Sequence, residues 1–197
     1  MIVIGDVHGQ YDALMRLIKL LPKDAKLCFV GDLIDRGPKS RQVVEFVKNN
    51  GHLCVKGNHE DMMTDPLSTH MWLYNGGHAT VKSYADVDKK VFEEHAEWMK
   101  SLPVYIKDGK HIVSHSFIAD HFNDPDNYQL EDTALWSRAP HTVLPDGLVN
   151  VVGHSIVDDV VEDIPAWGAV MVDTGAGANK LLSAYCTETG HVYSVKI

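Results

Sequence analysis

The chain has 197 residues, of which 45% are hydrophobic and 23% are charged, and its formal net charge is -9 with histidine neutral. This length allows a substantial core, and we expect one domain over residues 1–197. The negative charge argues against nonspecific nucleic-acid binding, and no apolar run approaches the roughly 20 residues that a membrane span needs.

The first part of the chain alternates short apolar runs with segments of helical periodicity. Buried strands are predicted at 2–4, 26–30 and 52–55, and helices at 11–21 and 40–50. This βαβαβ order implies parallel strands that are joined by helical crossovers and covered on both faces.

The character of the sequence changes after Pro103. Residues 60–101 are predicted to be mainly helical, with a break around NGGHAT (75–80). The apolar or alternating runs that follow indicate strands, the later ones antiparallel. These runs are VYIK, HIVSHS, LVNVVGHS, AVMVDTG, KLLSAYC and HVYSVK. The predicted fold class is therefore α/β (α+β), a β-sandwich flanked by helices that is α/β in its first half and β-rich in its second.

Polar residues follow five of the predicted strands where each strand ends. The first three strands run into GDVHG (5–9), GDLIDRG (31–37) and KGNHE (56–60), and two later runs end in His115 and His154. Ligands of open α/β sheets bind beyond the carboxyl ends of the strands, and glycines allow the tight turns that gather short side chains there. The turns offer mixed carboxylate, amide and imidazole ligands that suit Mn, Fe or Zn: Asp6, His8, Asp32, Asn58, His115 and His154.

Asp32 lies on the middle one of the first three turns, so it is the natural candidate for a carboxylate that bridges two ions. Two ions about 3.5–4 Å apart can clamp the attacking and leaving oxygens of an in-line displacement and lower the pKa of a bound water. A water bound to such ions can become hydroxide at working pH and act as a nucleophile.

The cysteines and the N-terminus both indicate a cytoplasmic protein. Cys28, Cys54 and Cys186 are odd in number and form no CxxC pair, which favours reduced thiols. No cysteine has an arginine six positions later, so the pattern of the cysteine-nucleophile phosphatases is missing. The sequence MIVIGDVHG has no charged n-region and no cleavage site, so we expect no secretory signal.

GDVHG, GDLIDRG and GNHE resemble the three signature motifs of the PPP metallophosphatases, the serine/threonine protein phosphatase superfamily. The similarity is closest to the short bacterial and bacteriophage lambda-type members. Five later segments extend it, in the expected order, over most of the chain: WLYNGG (72–77), IVSHS (112–116), LWSR (135–138), VVGHS (151–155) and VDTGA (172–176). The resemblance implies a four-layered α/β/β/α, calcineurin-like metallophosphoesterase fold.

The resemblance also implies a dinuclear metal centre, with a bridging hydroxide that attacks phosphorus directly and without a covalent enzyme intermediate. One ion would be held by Asp6, His8 and Asp32, and the other by Asp32, Asn58, His115 and His154. The implied metal is Mn²⁺, with Fe, Zn or Ni as alternatives.

Four further residues receive roles from the resemblance. His59 would be the general acid that protonates the leaving alcohol, and Asp35 would hydrogen-bond to His59 and keep it protonated. Arg36 and Arg138 would hold the phosphate through bidentate contacts. Arg138 could also be an ordinary packing residue beside Trp136.

Three functions remain open at the level of the sequence. The first is a phosphomonoesterase for phosphoserine, phosphothreonine and possible phosphotyrosine proteins, and small phosphoesters in vitro, acting as a monomer without a regulatory subunit. The second is a nucleotide hydrolase that resembles the symmetrical diadenosine tetraphosphate hydrolases. Those enzymes typically lack an acidic residue at position 35 and end the third motif in Asp, so Asp35 and Glu60 favour the phosphoprotein substrate. The third is a binding scaffold without activity.

Some segments carry weaker predictions. Asn75, Gly76 and Gly77 could form a helix–helix turn or a loop near the substrate. Asp173 could orient a ligand histidine or be an ordinary residue at a strand end. The stretch GAGANK (175–180) matches neither GxGxxG nor a P-loop, and no role is predicted for it.

Overall fold

The computed structural model of the chain describes residues 1–124, 134–140, 142–164 and 167–197. Its strands are, in chain order, β1 (Ile2–Ile4), β2 (Leu27–Phe29), β3 (Leu53–Cys54), β4 (Tyr105–Asp108), β5 (His111–Ser114), β6 (Val149–Val152), β7 (Val161–Ile164), β8 (Ala169–Met171), β9 (Leu181–Cys186) and β10 (Val192–Lys196). Its α-helices are α1 (Tyr11–Ile18), α2 (Ser40–Asn49), α3 (Asn58–Thr64), α4 (Thr69–Trp72), α5 (His78–Ser83), α6 (Lys89–Lys100) and α7 (Ala119–Asn123).

The strands form two five-stranded sheets. In the first sheet the order is β10-β9-β1-β2-β3, with β1, β2 and β3 parallel and β9 and β10 antiparallel to their neighbours. The predicted βαβαβ unit is therefore confirmed. In the second sheet the order is β4-β5-β6-β8-β7.

The prediction that the later strands are antiparallel is confirmed for β9 and β10, but it is wrong for β8 in the centre of the second sheet. Strands β5, β6 and β8 run parallel to one another, and only the edge strands β4 and β7 are antiparallel. Long connections separate the three parallel strands in the sequence, so each can return to the same end of the sheet before the next strand begins. Strand β7 was not predicted.

The core confirms the four-layered arrangement, because successive side chains of each strand point to opposite faces of the sheet. Ile2, Ile4 and Phe29 pack with the buried faces of α1 and α2, whereas Val3 and Cys28 pack against the second sheet. The layer between the sheets is completed by Val113, Val151, Val170 and Val172. On the far side of the second sheet, Ile112 packs with Ile118 and Ala119 beside α7.

Two helix boundaries differ from their predictions. Helix α1 ends at Ile18 and not at residue 21, because Leu20 and Leu21 bond back only three residues, to Leu17 and Ile18, in a tight turn before Pro22. The break predicted at 75–80 is a wide turn over Leu73–Gly77, where Gly76 has φ of 112°. His78 already begins α5.

Two other predictions concern the cysteines and membrane-spanning segments. Cys28 and Cys54 are buried free thiols in β2 and β3, as the sequence predicted. Across the described ranges, no helix combines the length and the apolar character required to cross a membrane.

Candidate active site

A cavity of about 310 Å³ opens beyond the carboxyl ends of the parallel strands of both sheets. Its walls include eight of the ten residues for which the sequence predicted a role: Asp6, His8, Asp32, Arg36, Asn58, His59, Arg138 and His154. The other two, Asp35 and His115, are fully buried and contact this set directly. The structure therefore brings all ten residues to one place.

The backbone that carries these side chains is held in an unusual conformation. Apart from glycine, six described residues have a positive φ, and five of them belong to the site: His8 (45°), Asp32 (49°), Asp35 (72°), Arg36 (65°) and His154 (63°). Each such residue costs about 1–3 kcal/mol. Strain concentrated in this way is typical of functional sites, where the position of the side chain outweighs the local cost.

Asp32 lies at the centre of the cluster. Its Oδ2 is 3.4 Å from Nε2 of His8, and its Oδ1 is 3.5 Å from Nε2 of His115. Both imidazoles are oriented from behind, because Nδ1 of His8 bonds the carbonyl of Ile34 at 2.9 Å and Nδ1 of His115 bonds that of Val30 at 2.8 Å. Each carboxylate oxygen of Asp32 thus faces one oriented histidine, which is the arrangement that a bridging ligand needs.

Asn58 and Asp6 connect the second sheet to this centre. Oδ1 of Asn58 lies 2.8 Å from Nε2 of His115 and 3.1 Å from Nδ1 of His154. The backbone N–H of His154 donates to Asp6, 3.2 Å from each carboxylate oxygen. The loops after β1, β3, β5 and β6 therefore meet through direct contacts.

Two triads of potential metal ligands overlap at Asp32. The ligand atoms of His8, Asp32 and His59 lie within 4.8 Å of one another, and so do those of Asp6, Asp32 and His115. The first triad includes His59, to which the resemblance gave a role outside the metal ions. Sharing of Asp32 is what a dinuclear centre requires.

The electrostatics of the cluster fit bound cations. Burial, together with the charges of Asp173 and Asp32, raises the pKa of Asp6 well above its usual value. Burial lowers the pKa of His8 to about 3, which leaves the unprotonated imidazole that can bind a metal. Nε2 of His154 is buried and has no hydrogen-bond partner among the described residues. Bound cations would offset the repulsion among these carboxylates and would give Nε2 of His154 a partner.

His59 and Asp35 form a hydrogen-bonded pair beside the triads. Nδ1 of His59 is 2.6 Å from Oδ2 of Asp35. Asp35 is anchored in turn by Nε1 of Trp72, at 3.0 Å from each oxygen, and by Oγ1 of Thr80, which donates at 2.6 Å. With Nδ1 occupied, Nε2 of His59 faces the cavity and lies 3.0 Å from Nη2 of Arg36. This geometry agrees with the predicted pairing.

The charge state of His59 follows from its neighbours. Burial opposes the protonated form, but the carboxylates of Asp32 and Asp35 outweigh burial and raise the pKa of His59 above its usual value. For Asp32, burial likewise opposes the charged form, and His115, His59 and His8 together lower its pKa. The two carboxylates thus favour the protonated imidazole, whereas the positive charge of Arg36, whose Nη2 lies 3.0 Å from Nε2 of His59, opposes it.

Glu60 holds the backbone that carries the site, a role that the sequence did not reveal. Its carboxylate accepts hydrogen bonds from the backbone N–H groups of Asp32 (2.8 Å), Leu33 (2.8 Å) and Gly57 (2.9 Å). Burial and the charge of Asp32 raise the pKa of Glu60 to about 7. Glu60 is fully buried, so it fixes the loop after β2 and does not reach the cavity.

Arg36 runs between two glycines, Gly76 of the NGG turn and Gly177. A Cβ at Gly76 would lie 2.9 Å from Cγ of Arg36, and one at Gly177 would lie 2.8 Å from its Nη1 and overlap Cδ2 of His8. Gly177 belongs to GAGANK, for which no role was predicted. Only the close approach in three dimensions reveals that both positions require glycine.

The remaining residues fall at the rim of the cavity. Arg138, Trp136, Asn75 and Ile156 line it, so the NGG turn does lie next to the space for a substrate. The carboxylate of Asp173 accepts a hydrogen bond from the backbone of Gly175 at 2.9 Å and adds its charge beside Asp6. Trp136 and Ile156 were not predicted to line a site, because isolated apolar residues carry no such signal.

Comparison with known proteins gives a consistent family. Residues 1–172 match the model of the calcineurin-like phosphoesterases. The chain is 29% identical over 88% of its length to the asymmetrical bis(5'-nucleosyl)-tetraphosphatase PrpE of Anoxybacillus flavithermus, of which the match covers 84%. It is 30% identical to serine/threonine-protein phosphatase 1 of Salmonella typhimurium, over 69% of this chain and 67% of the relative.

A solved structure supports the fold. The crystal structure of a protein assigned as a diadenosine tetraphosphatase superposes with a TM-score of 0.77, covering 99% of this chain and 92% of the other. Its sequence identity is 20%, so this likeness bears on the fold alone.

Proposed function

Since the chain belongs to the calcineurin-like phosphoesterases, we propose that it is a metal-dependent hydrolase of dinucleoside polyphosphates such as diadenosine tetraphosphate. We infer the substrate from the similarity to an asymmetrical bis(5'-nucleosyl)-tetraphosphatase, which extends over 88% of this chain. The sequence favoured a phosphomonoesterase, but the similarity to the Salmonella protein phosphatase extends over a shorter part of this chain, 69%.

The ligand set supports two divalent cations that share Asp32. Asp6, His8, Asp32, Asn58, His115 and His154 would hold them, and the nature of the metal, Mn²⁺ in the first place, stays part of the proposal. Bound there, the ions would activate water as the nucleophile and offset the negative charge of the phosphate.

Arg36 and Arg138 would hold the phosphate that reacts. Both line the cavity, and the guanidinium of Arg36 lies 2.9 Å from Nε2 of His8 and 3.0 Å from Nε2 of His59. Nη1 and Nη2 face these imidazole nitrogens in the structure, so the guanidinium would turn from His8 and His59 to the phosphate oxygens to bind them in bidentate geometry. Charge on these oxygens would therefore be stabilised where it develops.

His59 would protonate the leaving group. A water that has lost one proton to solvent would attack as hydroxide: its oxygen would form the new bond to phosphorus, the bond from phosphorus to the bridging oxygen would break, and the proton on Nε2 of His59 would pass to that bridging oxygen. Asp35 orients the imidazole through the 2.6 Å contact to Nδ1 and favours its protonated form. The products of a dinucleoside tetraphosphate are then two nucleotides.

Asp35 and Glu60 favoured a phosphoprotein substrate in the sequence, but their surroundings weaken that argument. Both are fully buried: Asp35 contacts His59, Trp72 and Thr80, and Glu60 contacts backbone N–H groups. Residues that do not reach the cavity cannot sense whether a nucleotide or a peptide lies in it. Their presence is compatible with either substrate.

The proposal is tested by product analysis. Purified protein with Mn²⁺ is incubated with diadenosine tetraphosphate, and the nucleotides are separated by anion-exchange chromatography. We expect equal amounts of adenosine triphosphate and monophosphate, with turnover abolished by EDTA and by Asp32→Asn. Absence of turnover with any divalent metal, while p-nitrophenyl phosphate is hydrolysed, would refute the nucleotide substrate.

A phosphomonoesterase acting on phosphoserine or phosphothreonine proteins is the second candidate. It is favoured by the 30% identity to a serine/threonine-protein phosphatase and by the His59–Asp35 pair, since an alkoxide is a poor leaving group without a proton. We also propose that such a phosphatase would need no regulatory subunit, and that the chain is monomeric and cytoplasmic.

A further inference from the structure

A second cavity, which we call the α2–α5 pocket, lies next to the catalytic one. It has a volume of about 510 Å³ and lies between the start of α2 and α5. Arg36 lines both cavities, so the two spaces are neighbours on either side of one side chain. The polar residues that complete its walls are Lys39, Arg41, Gln42, Lys82, Ser83 and Asp86.

The charge of this pocket opposes that of the protein. Four cationic side chains line it against the single acid Asp86, in a chain whose net charge is -9. Lys39 is paired with Asp12 at 2.7 Å, and Arg41 with Glu45 at 2.7 Å. Lys82 is exposed, and its ammonium group has no hydrogen bond or ion pair to any residue that the structure describes. A cation without a partner here is available to a ligand.

The backbone adds to the positive potential. Helix α2 begins at this pocket, has 10 residues, and receives no hydrogen bond from the side chain of its N-cap residue, Lys39. The backbone N–H of Arg41 in the first turn donates to Oγ of Ser83 at 2.8 Å, so it is the positive end of the helix dipole that faces the pocket and favours an anion.

Gln42 provides an independent indication of a missing partner. Its Oε1 is buried and has no hydrogen-bond partner among the described residues. The oxygen and nitrogen of a side-chain amide are assigned from their neighbours, so rotation of this amide would present its NH₂ group as a donor instead. Lys82 and a rotated Gln42 amide would thus offer donors that have no partner among the described residues at the wall of one space.

We infer that the α2–α5 pocket binds phosphate groups of the substrate's oligophosphate chain other than the one that reacts. This inference rests on the proposed nucleotide hydrolase. The catalytic cavity of about 310 Å³ is small for a dinucleoside tetraphosphate, and Arg36 is the point where the chain would pass from one cavity to the next. A substrate with a single phosphate would not reach the pocket.

Lys82→Ala tests the inference, with Lys90→Ala on the exposed face of α6 as the matched control. Loss of one charged contact to phosphate at an exposed site should raise the KM for diadenosine tetraphosphate about five-fold in Lys82→Ala. The KM for p-nitrophenyl phosphate should stay unchanged in both variants. An unchanged KM for the tetraphosphate in Lys82→Ala would overturn the inference.

Inhibition by inorganic tripolyphosphate separates this inference from the proposed function. Hydrolysis of p-nitrophenyl phosphate is measured at a fixed free concentration of the activating metal, so no nucleotide turnover is needed. The Ki of tripolyphosphate should rise about five-fold in Lys82→Ala, whereas that of orthophosphate should not change. If the tripolyphosphate Ki is unchanged but the KM for a phosphoserine peptide with acidic flanks rises, the pocket binds peptides and the inference is wrong.

Discussion

Gly177 offers a sharp test of how the site is assembled, because a single methyl group added there should disturb it. A Cβ at this position would overlap Cδ2 of His8 and lie 2.8 Å from Nη1 of Arg36. Gly177 lies within the short turn Ala176–Ala178, where no positive φ is needed, so Gly177→Ala adds bulk without backbone strain. The variant therefore acts on the two side chains and not on the turn.

The size of the effect follows from the cost of overpacking. A methyl group forced into a packed site costs about 1–3 kcal/mol. Relief of the overlap requires His8 or Arg36 to move. If that cost is borne by transition-state binding, kcat/KM should fall about 5- to 150-fold.

The assay is hydrolysis of p-nitrophenyl phosphate, together with metal content and the temperature of unfolding. Gly109→Ala is the matched control, because Gly109 has φ of 59° and a Cβ there would meet nothing within 4 Å. It should lose about 1–2 kcal/mol of stability yet keep its kcat/KM. If Gly177→Ala retains wild-type kcat/KM, then the positions of His8 and Arg36 do not control turnover and the reasoning fails.

Other substitutions separate the roles of neighbouring residues. Asp32→Asn should lose both metal and turnover, whereas Asp35→Asn should keep its metal content and move the alkaline limb of the rate profile to lower pH, because His59 acts protonated and loses the group that raises its pKa. Equal metal loss in both variants would contradict this division. His59→Asn should lower the turnover of a phosphoserine peptide on the order of 10²–10⁴-fold, and that of p-nitrophenyl phosphate much less, because nitrophenolate needs no proton to leave. A loss of metal in this variant would instead identify His59 as a ligand, as its triad with His8 and Asp32 allows. Thr80→Val removes a donor to Asp35 and should cost about 1–3 kcal/mol of stability in urea unfolding; unchanged stability would show that this contact contributes nothing.

Much of the site could be predicted because its residues follow predicted strands directly. Asp6, Asp32 and Asn58 stand within a few residues of β1, β2 and β3, and parallel strands bring their carboxyl ends to one edge. His115 and His154 follow β5 and β6 in the same way. The predicted order of strands and helices therefore indicates where the site lies as well as which fold the chain adopts.

The residues that support the site could not be predicted in this way. Trp72 and Thr80 reach Asp35 from 37 and 45 residues away, and nothing in their local sequence signals the contact. The parallel direction of β5, β6 and β8 was missed for a related reason, since a strand's pattern records which face is buried and not the direction of its neighbour.

The substrate was the part least determined by local sequence. Asp35 and Glu60 were informative as motif letters, but the structure places both behind the cavity wall. The surfaces that a substrate would touch are contributed by scattered residues such as Trp136, Arg138 and Lys82. The residues that line the two cavities, and not the buried motif residues Asp35 and Glu60, therefore determine which substrate binds.

Competition between substrates tests the central claim most directly. Equal concentrations of diadenosine tetraphosphate and a phosphoserine peptide are mixed with the metal-loaded enzyme, and the initial rates give the ratio of the two kcat/KM values. We expect the tetraphosphate to be consumed faster than the phosphopeptide, and EDTA to stop both reactions. Faster consumption of the phosphopeptide would contradict this expectation and identify the protein as a phosphoprotein phosphatase.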